Sequence, residues 1–301
     1  MMHKPSALRR GDLVGVISPG AAVDEINLNA GVRVLEAAGF RVRVGAAARK
    51  KHGYLAGTDA ERLADLNEML RDPEVRGIVT ARGGYGSGRL LPGIDLAAAA
   101  ADPKIFVGHS DITFLLSVLL EEANLVVFHG PMVASLAHQP EAAVHLTSVL
   151  RGERLVWHHA AQSVIQGGIA EGVLSGGCLS ILVAMLGTPW LPETRDRILF
   201  LEEVNEKPYR IDRMLTQLRH AGLFDDVAGV IFGEMDGCAA GPNERVTVRD
   251  VIAEAFAAAP YPVAFGLPSG HGRGTLTLPF GIRVRQAGER LTLLESPLQS
   301  A

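Results

Sequence analysis

The stretch Lys104-Ile-Phe-Val-Gly-His-Ser-Asp-Ile-Thr113 reads as a short buried strand, a tight turn and the entry to a helix over Phe114 to Ala123. A serine at such a turn stands above the sheet edge. The amides beside it have no intrahelical partners, because a helix leaves its first N–H groups unpaired. That is how a serine nucleophile is presented, with part of an oxyanion hole next to it. A serine at such a junction is more often a helix cap, through its side-chain oxygen, so Ser110 gains weight only from partners elsewhere.

Outward from this turn, the first half alternates strand and helix. Strands are expected at Asp12–Ser18, Arg41–Val44, Gly77–Ala81, Lys104–Val107 and Leu125–Phe128, with helices at Asp24–Ala38, Thr58–Leu70 and Ala97–Ala101. Thr58 and Glu61 have capping-box spacing, and Leu63, Leu66 and Leu70 fall on one face. This alternation predicts a parallel sheet covered on both faces. From Leu136 to Ser163 the pattern loosens into a crossover, with one edge strand at Leu155–His158. The second half gives strands at Gly168–Leu174, Arg197–Leu201, Val227–Phe232 and Pro262–Phe265, with helices at Gly176–Leu186, Pro208–Ala221 and Val246–Ala258. Antiparallel strands follow at Thr275–Leu278, Ile282–Val284 and Leu291–Leu294, with turns at Pro279-Phe280-Gly281 and Ala287-Gly288. The expected class is α/β: residues 1–135 as a first domain, 136–165 as the crossover and 166–301 as a second α/β domain with a mixed sheet.

Composition narrows the chemistry. The 301 residues are 48% hydrophobic and 21% charged, enough for a sizeable core, and the net charge of −4 with a pI near 6.2 gives no footing for nucleic acid. Cys178 and Cys238 are too few for a disulfide-built domain and read as reduced thiols. The short run Leu13–Ile17 is a first strand rather than a signal peptide, and no apolar run approaches a membrane span. The expectation is a cytoplasmic protein without metal or cofactor.

Ligands of parallel α/β sheets bind at the carboxyl ends of strands, and polar loops follow three of them. One holds His109 and Ser110. The second is Glu202-Glu-Val-Asn-Glu206. The third is Gly266-Leu-Pro-Ser-Gly-His-Gly272. Serine, carboxylate and histidine are the parts of a hydrolytic triad, with Glu203 and Glu206 competing with Glu202, and His109 with His271. The glycine-rich loop Arg82-Gly-Gly-Tyr-Gly-Ser-Gly-Arg89 also follows a strand. It reads either as a phosphate cradle, though without G-x-G-x-x-G or G-K-[ST] spacing, or as an oxyanion donor beside a carboxylate-binding Arg82 or Arg89.

Arg82-Gly-Gly-Tyr-Gly86, Gly108-His-Ser-Asp-Ile-Thr113, Phe128-His-Gly-Pro-Met132, Gly187-Thr-Pro-Trp190 and Leu201-Glu-Glu-Val-Asn-Glu-Lys-Pro-Tyr-Arg-Ile-Asp-Arg213 together resemble the LD-carboxypeptidase family, in order along nearly the whole chain. The resemblance implies an N-terminal flavodoxin-like domain carrying the nucleophile and a C-terminal α/β domain carrying acid and base, in a protein that is commonly a homodimer. It implies Ser110 as nucleophile, Glu202 as acid and His271 as base, with oxyanion donors at Asp111 and Gly84. Arg82, Tyr85 and Arg89 stand as substrate-binding candidates. The substrate implied is a murein tetrapeptide, cut at the L,D bond before terminal D-Ala during recycling of wall fragments. Glu203 departs from an aspartate common in relatives, outside the triad. The turn Gly108-His-Ser-Asp-Ile112 lacks the second glycine of an α/β-hydrolase elbow. Two other functions stay open: a microcin C immunity-type peptidase acting on aminoacyl-nucleotide conjugates, with Trp190 as aromatic shelf, and a non-catalytic nucleotide-binding module on the Gly83–Gly88 loop. A metal hydrolase has no H-E-x-x-H motif to rest on.

Overall fold

The computed structural model describes residues 2–153, 159–241, 245–272 and 276–299. The chain divides into two compact units. The first takes Met1–Leu155, Gly274–Gly281 and Ser296–Ala301; the second takes Val156–Arg273 and Ile282–Glu295.

In the first unit, β1 (Leu13–Ile17), β2 (Arg41–Val44), β3 (Val75–Thr80), β4 (Ile105–Gly108) and β5 (Val127–His129) are parallel, in the order β5-β4-β3-β1-β2. This is the doubly wound order of flavodoxin-like sheets, which places the switch point between β1 and β3. Strand β12 (Leu278–Phe280), from far along the chain, adds antiparallel to β5. All residues of β1 and β4 are buried, as parallel strands covered on both faces require. The helices are α1 (Glu25–Ala37), α2 (Asp59–Arg71), α3 (Leu96–Ala101), α4 (Thr113–Glu122), α5 (Val133–Leu136) and α6 (Pro140–Leu150). Helix α2 starts as its sequence predicts. The Glu61 N–H donates to Thr58 Oγ1 at 3.3 Å, and the Glu61 carboxylate accepts the Thr58 N–H at 2.8 Å.

Helix α6 stands where the sequence pattern loosened. Pro140 sits in its first turn, where a missing N–H costs nothing. Its inner face is partly alanine (Ala142, Ala143, then Leu146, Val149 and Leu150), which weakens the apolar signal. The strand expected at Leu155–His158 lies outside the described residues.

In the second unit, β6 (His159–Ala160), β7 (Ser163–Gln166), β8 (Ile169–Cys178), β9 (Arg197–Val204), β10 (Gly229–Asp236), β11 (Val263–Phe265), β13 (Arg283–Ala287) and β14 (Arg290–Leu293) form a mixed sheet, ordered β6-β14-β13-β8-β9-β10-β11-β7. Strands β8 to β11 are parallel and the flanking strands antiparallel. Its helices are α7 (Leu179–Met185), α8 (Pro208–His220) and α9 (Val248–Ala255).

Three expectations change here. Strand β8 runs on to Cys178, so the helix expected from Gly176 begins at Leu179. Gly176 takes φ 127°, and a Cβ there would collide with the Phe200 carbonyl. Strand β9 extends to Val204, so Glu202 and Glu203 are strand residues rather than loop residues. Pro279 and Phe280, expected in a turn, lie in β12 at the edge of the first sheet, where proline is tolerated.

Candidate active site

In the first unit, the loops after β1, β3 and β4 converge at the carboxyl ends of neighbouring strands. Ser110 has φ 63°, a left-handed conformation costing a serine roughly 1–3 kcal/mol and typical of strained functional turns. A Cβ on Gly83 would stand 3.0 Å from Ser110 Cβ and 3.3 Å from the Asp111 nitrogen, so the glycine loop lies directly against this turn. Gly84 has φ 88°. Among the described residues, neither the Gly84 nor the Asp111 amide donates to a protein acceptor, which suits both for an oxyanion. The Asp111 side chain is 1% exposed. Its Oδ2 accepts the Ser87 N–H at 2.9 Å, and its carbonyl accepts the Ser87 hydroxyl at 2.6 Å. Burial pushes its carboxyl above the usual range, against the pull of those donors. Buried Arg62 of α2 donates to the carbonyls of Pro19 and Gly86 and pairs with Asp59, tying two of these loops to one helix.

His109 is occupied in this unit. Its Nδ1 meets the Gly130 carbonyl at 2.9 Å; because a carbonyl can only accept, Nδ1 carries the proton. Arg89 gives Nε and Nη2 to Asp59, at 2.9 and 2.8 Å, beside a surface cavity of about 640 Å³ also lined by His52, Tyr54 and Thr58. Arg82 is exposed and gives one nitrogen to the Ala22 carbonyl at 3.0 Å. Tyr85, 54% exposed, packs edge-on against Tyr54 with ring centroids 5.6 Å apart.

In the second unit, Glu202 of β9 is wholly buried, and its Oε2 accepts the Nδ1–H of His271 at 2.7 Å. A proton on Nδ1 leaves Nε2 as the lone-pair nitrogen of the neutral ring, the one a general base uses. Burial pushes Glu202 upward while His271 pulls it back. Burial pulls His271 down, but its bond to Glu202 and the charges of Glu202, Glu203 and Asp236 outweigh this, so its pKa is raised. Strand alternation sends Glu203 to the other face. There it accepts the Ser180 N–H at 2.8 Å, at the start of α7. Glu206 pairs with Arg210 at 3.2 Å. Trp190 lies half-buried in the turn after α7, its N–H on Thr188 Oγ1 at 3.3 Å. Among the described residues, no group of three or more His, Cys, Asp and Glu is placed to hold a metal ion, and no helix is long and apolar enough to cross a membrane.

Residues 14–130 match the profile of the LD-carboxypeptidase N-terminal domain, and residues 171–285 that of the LD-carboxypeptidase C-terminal domain. A probable murein peptide carboxypeptidase of Bacillus subtilis is 37% identical, over 98% of this chain and 95% of its own length. The chain belongs to the LD-carboxypeptidase family. The crystal structure of muramoyltetrapeptide carboxypeptidase from Oxalobacter formigenes superposes with TM-score 0.84 at 30% identity, covering 93% of this chain and 98% of that one. A structure of microcin C7 self-immunity protein MccF in complex with aspartyl sulfamoyl adenosine shares the fold, with TM-score 0.88 at 24% identity over 99% of this chain and all of that one. This LD-carboxypeptidase is thus a hydrolase of the serine peptidase type, with a flavodoxin-like sheet and a mixed α/β sheet.

Two residues that hold the LD-carboxypeptidase loops in place escaped the sequence reading. Arg62 interrupts the buried apolar face of α2 one turn before Leu66, a position where a buried cation is unexpected. Glu234 lies just past the expected end of its strand; its carboxylate accepts the Gly272 N–H at 2.8 Å.

Proposed function

We propose that this protein is a carboxypeptidase that cleaves the L,D-peptide bond before the terminal D-Ala of a murein tetrapeptide, through a Ser110–Glu202–His271 triad. The buried 2.7 Å bond between Glu202 and His271 carries the reading, because it sets the tautomer that a serine hydrolase needs. Ser110 Oγ attacks the carbonyl carbon, and its proton passes to His271 Nε2. The Asp111 and Gly84 amides hold the oxyanion. The tetrahedral intermediate collapses, the C–N bond breaks, and the D-alanine amine leaves with the proton from His271. Water, deprotonated by the same imidazole, then hydrolyses the Ser110 ester. Arg82 receives the terminal carboxylate, since Arg89 is engaged with Asp59, and Tyr85 borders the peptide. The same reading has a cytoplasmic homodimer working on recovered wall fragments.

The test is release of free D-alanine from a purified murein tetrapeptide by wild type and Ser110→Ala, with an aminoacyl sulfamoyl adenosine offered in parallel. Release by wild type alone is expected. Release by both would remove Ser110 from the mechanism. Cleavage of the nucleotide conjugate instead of the tetrapeptide would replace the substrate with the one bound by MccF.

A further inference from the structure

Strands β9 and β10 fall out of step at one place. Phe232 pairs with Leu201 and Met235 with Glu203, so Gly233 and Glu234 together stand opposite Glu202. In a regular ladder, Glu234 would pair with Glu203 and follow it to the α7 side. One extra residue re-aims it, as bulges beside active sites do. Gly233 makes the bulge possible, because a Cβ there would collide with the Ser269 carbonyl and stand 2.6 Å from the Phe200 ring.

The re-aimed residue fastens the His271 loop twice. Its own N–H donates to the Ser269 carbonyl at 2.8 Å, and its Oε2 accepts the Gly272 N–H at 2.8 Å. Both neighbours of His271 are glycines for a reason found here. A Cβ on Gly272 would run into the Glu234 carboxylate, and one on Gly270 would lie 3.0 Å from Glu202 Oε2 and 3.1 Å from Glu234 Cβ.

We propose that Glu234 is a positioning residue for the general base: its carboxylate clamps the Gly270-His271-Gly272 loop so that the imidazole keeps its edge on Glu202. The proposal rests on the reading of His271 given above. A half-buried carboxylate on a backbone N–H is a charge-assisted bond, and an error of about 1 Å in a base position costs on the order of a hundredfold in rate.

Two readouts test it. The first needs no substrate. In wild type the Gly272 amide proton should resonate far downfield and exchange slowly. Glu234→Ala should shift it upfield and remove the protection, while Glu234→Gln, which keeps an acceptor oxygen, should preserve it. The second is D-alanine release. Glu234→Ala should lower kcat by about tenfold to a hundredfold with KM changed less than about twofold, and Glu234→Gln should recover most of the loss. An unchanged Gly272 amide in Glu234→Ala overturns the clamp, as does a loss carried by KM or a glutamine variant as slow as the alanine one. If wild type releases no D-alanine, the substrate assignment fails, and the amide readout still decides the role of Glu234.

Discussion

At His271, burial and charge pull in opposite directions. Burial lowers the proton affinity of the ring, while the Glu202 bond and the charges of Glu202, Glu203 and Asp236 raise it further. A base must be neutral to act, so kcat/KM should rise with pH through a limb lying above the usual imidazole value of about 6.5. Glu202→Gln should move that limb down and lower kcat on the order of 10³–10⁴; pH profiles of the two proteins check it, and an unmoved limb would separate Glu202 from His271. Stability follows with a definite sign. Both partners bind protons more tightly folded than unfolded. Their stabilising contribution is full below the unfolded values and disappears as pH rises through the raised ones. Urea midpoints of wild type should therefore fall across that window. Ser110, Glu202 and His271 stand among the candidates because polar stretches follow the expected strands, but the choice of Glu202 over Glu203 and Glu206 rests on the family resemblance. Glu234 does not stand among them, because its role depends on a register shift that no local pattern announces.

Elements with a self-contained signal were legible. Helix α2 carries its own start in Thr58 and Glu61, and α8 has the bounds its apolar spacing suggests, to one residue. Strand β9 read short because two consecutive glutamates look like solvated loop, whereas one serves a histidine and the other the start of α7. Glycine inside a helix is equally ambiguous in sequence. Gly31 sits mid-way along α1, and a Cβ there would collide with the Val133 carbonyl at the start of α5. The two helices meet backbone to backbone because this residue has no side chain. Gly31→Ala should cost about 2–3 kcal/mol through overpacking, despite the better helix propensity of alanine. Chemical denaturation measures this, and a stabilised variant would show that α1 and α5 can separate freely.

On the scale of the whole molecule, the parallel core of the first sheet follows from local alternation, but its far edge does not. That edge is β12, which pairs Leu278, Pro279 and Phe280 with His129, Phe128 and Val127. Its arrival depends on long-range pairing that alternation cannot encode. A chain stopped after Glu153 would keep β1 to β5 and all six of their helices yet leave β5 as an uncovered, wholly buried-type edge. Such a fragment should self-associate, and light scattering against the full chain checks this; a monodisperse, cooperatively melting fragment would show that β5 needs no cover. The order of synthesis gives this arrangement a further meaning. A ribosome delivers the five parallel strands first, then the central strands of the other sheet, and only afterwards the strand that seals the first. During translation the first unit, which holds Ser110, therefore stays open-edged longest, and in this interval its uncovered β5 edge is exposed to pairing with other chains.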